Sequence, residues 1–466
     1  MSHSTAQSPR KLQFVDPVAF TPYFSWKQAS SAQSQEQVFC ERVSLAAVAD
    51  KFATPTYLYS SAAIDDAYRE FQKGLRGIHH TICFAVKSNS NLSILQRLAK
   101  LGSAFDIVSG GELRLLQRIG VPGDRLVFSG VGKSREEIRE ALNYSISGQH
   151  PRSGILLFNA ESEAELEILT EEAARVVEKG GKPPAAAIRV NPDVLAGGHP
   201  HIATGRHEHK FGLDWKAAKR LYRMHGHSKW IRWAGLSAHI GSQITTLEPF
   251  RLAVRRLVGY VNELKSLGIG LRYLDVGGGL GVRYADQKPP QRSEYSNLIK
   301  ELVRGSDVEV LLEPGRSLIA QAGVLLTRVI YTKTNRGKRF VIVDGAMNDL
   351  MRPSLYGAIH PITKLTRDTA ERNAKRQRAD VVGPVCETGD CFLRDWPVGE
   401  VQTGDLLGIW GAGAYGMVLA SNYNARCRPA EVLVEDDTFR LIRRRETQED
   451  LERADVSEEK QAARTA

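Results

Sequence analysis

The chain has 466 residues, 42% hydrophobic and 25% charged, enough to bury two or three cores, which excludes disorder as its main state. Sixty-three Lys and Arg against 53 Asp and Glu give a net charge of +10, a moderate excess that suits anionic small molecules and does not by itself mark a DNA-binding protein. Five scattered cysteines (Cys40, Cys83, Cys386, Cys391, Cys427), with no CxxC pair, exclude a disulfide framework and a zinc knuckle, so a reducing cytoplasm is the expected location.

Residues 1–38 are rich in Ser, Gln and Pro without a sustained period and read as a flexible arm. They lack the basic-then-apolar order of a secretory signal, so export is not expected. Residues 39–60 follow, and their short run Thr56–Tyr59 is expected to pair with a later β domain. From 61 to 320 eight β-branched or apolar runs recur: Thr81–Ala85, Ala104–Val108, Arg125–Ser129, Gly154–Phe158, Ala185–Val190, Trp233–Ala238, Arg272–Val276 and Glu309–Leu312. Between them, Leu92–Leu101, Glu112–Ile119, Arg135–Leu142, Glu161–Val177 and Pro249–Leu267 carry apolar residues at three- and four-residue spacing, the period of an amphipathic helix. Eight strand–helix units over this length predict a (β/α)8 barrel.

Residues 321–445 change to strand-only signals (Val324–Thr334, Arg339–Val343, Asp380–Val385, Asp405–Trp410, Glu431–Leu433) and read as an all-β domain. Leu406–Ala425 runs twenty residues without a charge, yet four glycines make it a poor membrane helix; strand, Gly-rich turn and strand is the expectation. Lys364–Arg378, with six basic and two acidic residues, reads as a solvated loop. Residues 446–466 form a charged tail with the character of a frayed helix.

A barrel carries its chemistry at the C-terminal ends of its strands. The residues there are Lys87, Asp106, Arg189, His239 with Ser242, the triplet Gly277–Gly278–Gly279, and Glu313 with Gly315 and Arg316. A lysine against apolar walls loses some of its proton affinity and becomes a usable amine nucleophile. Consecutive glycines after a strand let backbone N–H groups approach a phosphate. A carboxylate opposite both, Glu313, can hold a pyridine nitrogen protonated, the arrangement that makes pyridoxal phosphate an electron sink.

The runs CFAVKSNSN, SAFDIVSGGEL, RVNPD, HKFGL, HIGSQ, DVGGGLG, EPGRSL, MRPSLYGAIHPI, CETGD, GAYG and YNARCRP resemble, in order and spacing, the diaminopimelate decarboxylase family, from about Val43 to Leu451. The resemblance implies a pyridoxal-phosphate enzyme of the alanine-racemase-like fold, a barrel plus a β domain completed by an N-terminal strand. It makes Lys87 the Schiff-base lysine, Asp106 the acid near it and His239 the imidazole against the cofactor ring. Ser242, Gly277, Gly278, Gly279, Gly315 and Tyr415 then form the phosphate group, Glu313 meets the pyridine nitrogen, and Arg189 supports that region. Arg316, Arg352 and Tyr356 resemble the residues that hold the carboxylate at the non-reacting end of meso-diaminopimelate. Cys386 and Glu387 look like the pair supplied by a neighbouring subunit, which implies a homodimer with shared active sites. CETGD carries Thr388 where serine is more usual, a change that keeps the hydroxyl.

Sister decarboxylases of ornithine, arginine or a carboxylated polyamine are the runner-up; cationic far ends would want acids, whereas Arg316, Arg352 and Tyr356 suit an anion. A chain that kept the fold and lost turnover is a second alternative, against which stand Lys87, Cys386 and Glu387 together. Nucleic-acid binding lacks aromatic interleaving or a recognised module. His199, His201, His207 and His209 lie close together, but the loop setting offers no fixed geometry for a metal, and a flexible lid is the expectation.

Overall fold

The computed structural model describes residues 14–28, 35–146, 154–195, 210–226, 228–369 and 376–456. It divides into two compact units, one of residues 62–283 and 287–321, the other of residues 1–61, 284–286 and 322–466.

In the first unit eight parallel strands close into a barrel: His80–Ala85, Ala104–Ile107, Leu126–Phe128, Leu157–Ala160, Ala185–Arg189, Arg232–Ser237, Tyr273–Asp275 and Glu309–Leu312. The last pairs with the first through Val310 opposite His80, which removes both sheet edges. The interior is packed by Cys83, Ala104, Val127, Leu157, Ala185, Ala187, Ala234, Tyr273 and Leu311, so it is a core and not a channel. The helices form where the three- and four-residue spacing places them. Leu92–Lys100 buries Ile94, Leu95 and Leu98, each contributing about 1.5–3 kcal/mol on removal from water. Arg135–Leu142 starts at a capping box in which Ser134 accepts the Glu137 N–H and the Glu137 carboxylate accepts the Ser134 N–H.

One barrel strand lies further along than its sequence suggests. The run Gly154–Phe158 gives way to Leu157–Ala160, and the following helix starts at Glu163, capped by Ser162, rather than at Glu161. Asn159 therefore lies within the strand and Glu161 just beyond its C-terminal end.

The second unit is built on strands. Thr56–Ser60 runs down the middle of its larger sheet, antiparallel to Gly323–Asn335 on one side and parallel to Ala430–Glu435 on the other. Outside these lie Lys338–Val343, Ala379–Val382 and Cys391–Trp396 on one flank and Thr438–Arg443 on the other, while Leu406–Trp410 bridges Gly323–Asn335 to Ile362–Lys364. The core gathers Phe24, Val38, Cys40, Leu58, Val324, Leu365, Trp410 and Val432.

Three expectations are corrected here. The N-terminal arm holds two paired strands, Phe24–Gln28 and Gln35–Cys40, because Phe24, Val38 and Cys40 bury apolar side chains that the surrounding Ser and Gln disguise. The basic stretch is not all loop: Thr366–Asp368 joins that small sheet opposite Gln35–Gln37, and Arg367 pairs with the Glu36 carboxylate at 2.9 Å. After Leu406–Trp410 no second strand forms before Ala425; two short 3-10 turns, Met417–Leu419 and Tyr423–Ala425, take its place. The C-terminal tail contributes the short helix Gln448–Glu452. Among the described residues no helix is long and apolar enough to cross a membrane.

Candidate active site

Lys87 sits on a single 3-10 turn, Val86–Ser88, directly after the first barrel strand. The polar run that follows fixes the turn locally: Ser88 Oγ donates to the Ala85 carbonyl at 2.7 Å, Asn89 Oδ1 accepts the Asn91 N–H at 3.0 Å, and Asn91 caps the next helix. The ammonium meets the Asp106 carboxylate at 2.6 Å; Asp106 is completely buried and the Lys87 side chain is 34% exposed. The lysine's surroundings are thus not the purely apolar walls that the preceding residues suggest. Its close partner is an acid on the next strand.

Asp106 belongs to a group of three buried acids with Asp275 and Glu313. Burial, then the charges of Asp106 and Asp275, push the Glu313 carboxyl well above its usual range, and burial also raises Asp275. Ser129 Oγ donates to Glu313 at 3.4 Å. Asp275 accepts the Gly277 N–H at 3.0 Å, Asn159 Nδ2 at 2.9 Å and Ser237 Oγ at 3.2 Å.

The glycine triplet is required by space. Gly277 has φ +68°, and a Cβ there would lie 2.6 Å from the Ala238 carbonyl oxygen and 2.9 Å from His239 Nδ1. A Cβ on Gly278 would run into the Glu313 carbonyl oxygen. At Gly315 a Cβ would press on Ser88 at 2.9 Å.

His239 Nδ1 accepts the Gly278 N–H at 3.1 Å. Burial, with the Arg189 and Lys87 charges, holds this imidazole well below its usual pKa, so it stays neutral with its proton on Nε2. Arg189 is itself anchored: Nη1 donates to Glu161 Oε1 at 2.9 Å, and the guanidinium lies 4.9 Å from the Phe211 ring centre. Glu161 also accepts the Gly130 N–H at 2.8 Å and the Gly212 N–H at 3.3 Å. One carboxylate therefore ties together the loop after the third strand, the end of the fifth strand and the segment Phe211–Gly212. Glu161, Asn159 and Asp275 are the functional residues that sequence reasoning missed. The signal for the first two was present in the FNAE run, had its strand been placed two residues later.

Of the expected substrate group, Arg316 lies in the barrel unit, buried, its Nη2 donating to Ser242 Oγ at 3.0 Å. Arg352, Tyr356, Cys386, Glu387 and Tyr415 lie in the strand-built unit. There Arg352 is buried, with Nη1 donating to His360 Nε2 at 2.6 Å and to Tyr284 Oη at 3.1 Å. Cys386 and Glu387 are exposed on a turn held by Asp390, whose carboxylate accepts the Val385 N–H at 2.8 Å and the Met347 N–H at 2.7 Å. Tyr415 has φ +56°, backbone that a side chain rarely adopts. The four clustered histidines, His199, His201, His207 and His209, fall outside the described residues. No group of His, Cys, Asp and Glu suited to a metal ion occurs among the described ones.

The barrel residues fit pyridoxal phosphate on their own chemistry. The amine of Lys87 suits its aldehyde, the glycine turn keeps side chains out of the way of a phosphate, and a neutral ring at His239 adds no competing charge. Asp106 Oδ1 is a buried acceptor without a hydrogen-bond partner, and the three-acid group suits a cationic ring.

Residues 61–320 match the family model "Pyridoxal-dependent decarboxylase, pyridoxal binding domain". The diaminopimelate decarboxylase of Pseudomonas aeruginosa is 47% identical over 415 residues, covering 89% of this chain and 96% of the relative. That of Aquifex aeolicus is 41% identical over 428 residues, covering 92% and 96%. Among solved structures, the Helicobacter pylori diaminopimelate decarboxylase complexed with L-lysine is similar at TM-score 0.80 and 40% identity, covering 88% of this chain and 98% of that one. The M. jannaschii enzyme in co-complex with L-lysine is similar at TM-score 0.84 and 34% identity, covering 94% and 98%. With the closed barrel, the second strand-built unit and the lysine–acid pair at the barrel mouth, these likenesses show that the chain belongs to the diaminopimelate decarboxylase family of pyridoxal-phosphate enzymes.

Proposed function

We propose that the chain decarboxylates meso-2,6-diaminopimelate at its D centre, releasing CO2 and L-lysine in the last step of lysine biosynthesis. The observation that carries this reading is the Lys87–Asp106 contact of 2.6 Å in the same barrel mouth as the glycine turn and the buried Glu313. In the reaction the bond from the D carbon to its carboxylate breaks, CO2 leaves, and a proton takes its place on that carbon. Pyridoxal phosphate, when bound, supplies the electron-accepting ring that carries the released pair.

The chain's residues do the rest. Asp106 governs the proton on Lys87 Nζ, which must be lost before the amine attacks a carbonyl. Glu313 keeps a proton available for a ring nitrogen, and His239 packs as a neutral plane. Gly277, Gly278, Gly279, Ser242, Gly315 and Tyr415 take the phosphate, with Arg189 supporting that side. Arg316, Arg352 and Tyr356 bind the carboxylate at the non-reacting end, where a planar guanidinium gives two parallel hydrogen bonds. Cys386 and Glu387 serve the site of a neighbouring subunit, the thiol near the reacting carbon and the carboxylate near the distal amine; their exposure on an ordered turn supports this. The assembly is then a homodimer, working in the cytoplasm on a small-molecule substrate.

The test is direct. Purified protein is incubated separately with meso-diaminopimelate, ornithine and arginine, with and without added cofactor, and released CO2 is measured. Turnover of the first alone is expected. Borohydride reduction followed by peptide mapping should place the cofactor on Lys87, and Lys87→Ala should abolish both the visible absorbance and turnover. An adduct on another peptide overturns the reading.

A further inference from the structure

Asp275 ends the seventh barrel strand and is completely buried, yet among the described residues no lysine or arginine pairs with it. Its hydrogen bonds lead in two directions. Oδ1 accepts the N–H of Gly277, the first residue of the glycine turn, at 3.0 Å. On the other side lies Glu313, just past the adjacent strand on which Leu311 pairs with Asp275; burial, then the charges of Asp106 and Asp275, push its carboxyl well above the usual range. The backbone repeats the link, since the Glu313 N–H donates to the Gly277 carbonyl at 2.9 Å. Asn159 Nδ2 at 2.9 Å and Ser237 Oγ at 3.2 Å complete the donors around Asp275.

The titratable groups facing this carboxylate come from every neighbouring element. Glu313 follows the adjacent strand, Asp106 and Cys83 lie on the second and first strands, and Tyr295 lies on the helix Arg292–Val303. Lys87, paired with Asp106, acts on Glu313. Burial keeps Cys83 and Tyr295 neutral, so the groups that matter are the three acids and one lysine.

We propose that Asp275 is a positioning residue that couples the two ends of the cofactor site, holding the start of the phosphate turn through Gly277 and fixing, through Glu313, how firmly the ring nitrogen keeps its proton. This rests on the function proposed above and deepens it. Negative charge on Asp275, behind Glu313, raises the proton affinity of both partners in a carboxylate–ring pair. The hydrogen bond to Gly277 makes the same residue sensitive to where the phosphate sits.

Two substitutions separate the roles. Asp275→Asn removes the charge and keeps an acceptor for Gly277; its new amide hydrogens can face Asn159, whose Oδ1 has no hydrogen-bond partner. Asp275→Ala removes both. The readouts are the pH midpoint of ring-nitrogen protonation, followed by NMR on isotope-labelled cofactor, and the cofactor dissociation constant. In Asp275→Asn the midpoint should fall by about one pH unit or more, kcat should fall about tenfold with KM little changed, and cofactor affinity should stay within about threefold. Asp275→Ala should lose cofactor affinity by a further factor of about ten. An unchanged midpoint in Asp275→Asn overturns the charge role, and unchanged affinity in Asp275→Ala overturns the tether. If neither variant folds, Ser237→Ala strips one donor from Asp275 and should move the midpoint up; no movement overturns the proposal. Failure of the wild-type protein to trap cofactor on Lys87 would instead count against the proposed function itself.

Discussion

Glu161 offers a sharp test of how the barrel mouth is held. Its side chain is 1% exposed, that of Arg189 is 10% exposed, and they meet at 2.9 Å. Glu161→Ala leaves a buried guanidinium without its anion, a loss of about 3–5 kcal/mol for breaking one side of a buried pair. The Gly130 and Gly212 N–H groups lose an acceptor too, and water entering the new space offsets part of that further cost, about 1–3 kcal/mol for each group left dry. The midpoint of thermal unfolding should therefore fall by roughly 6–20 °C, at about 2–4 °C per kcal/mol for a unit of this size. Glu161→Gln keeps the shape and one acceptor and should lose about half as much. Paired with Arg189→Met, the Glu161→Gln loss should shrink by about 2 kcal/mol in a double-mutant cycle read by urea denaturation of the apo protein. A loss below about 1 kcal/mol in Glu161→Ala, or strictly additive singles, would refute the idea that this carboxylate organises the mouth.

Other outcomes follow from the same geometry. The His239 pKa is depressed in the folded chain, so its contribution to stability is present above pH 6.5 and is lost as pH falls below that value toward the folded one. His239→Gln should flatten this acid limb by up to about 1.4 kcal/mol per pH unit, measured as the urea midpoint of wild type and variant between pH 7 and about 5. Gly278→Ala, forced against the Glu313 carbonyl, should weaken cofactor binding at least about tenfold, and an unchanged dissociation constant would contradict the cradle. Glu387→Gln should reduce kcat/KM for the substrate far more than cofactor affinity. Mixing inactive Lys87→Ala with inactive Cys386→Ala should restore about a quarter of wild-type activity if sites are shared between subunits and no activity if they are not.

Much of the architecture was legible because the physics is local. Each barrel strand is an apolar run buried on both faces, and each helix shows its buried stripe, so all eight runs find their strands. Lys87, His239 and the glycine triplet were legible because strand ends in a barrel point at the mouth. Asn159, Glu161 and Asp275 were not. An acid at a strand end reads the same whether it meets water, caps a helix or receives a guanidinium from the neighbouring strand, and Glu161 sits before a helix whose first turn is also acidic. The two N-terminal strands were missed for a different reason. Their apolar residues are few, and only the partner sheet makes Phe24, Val38 and Cys40 worth burying.

The placement of Thr56–Ser60 has a consequence for synthesis. This strand emerges from the ribosome early, yet one neighbour begins at Gly323 and the other at Ala430, near the end of the chain. The barrel, whose contacts lie within residues 62–321, can close while translation continues, whereas this strand waits with both edges bare. A nascent chain arrested before residue 430 would expose Leu58 and its neighbours along one edge, a surface for chaperones and a target for quality control.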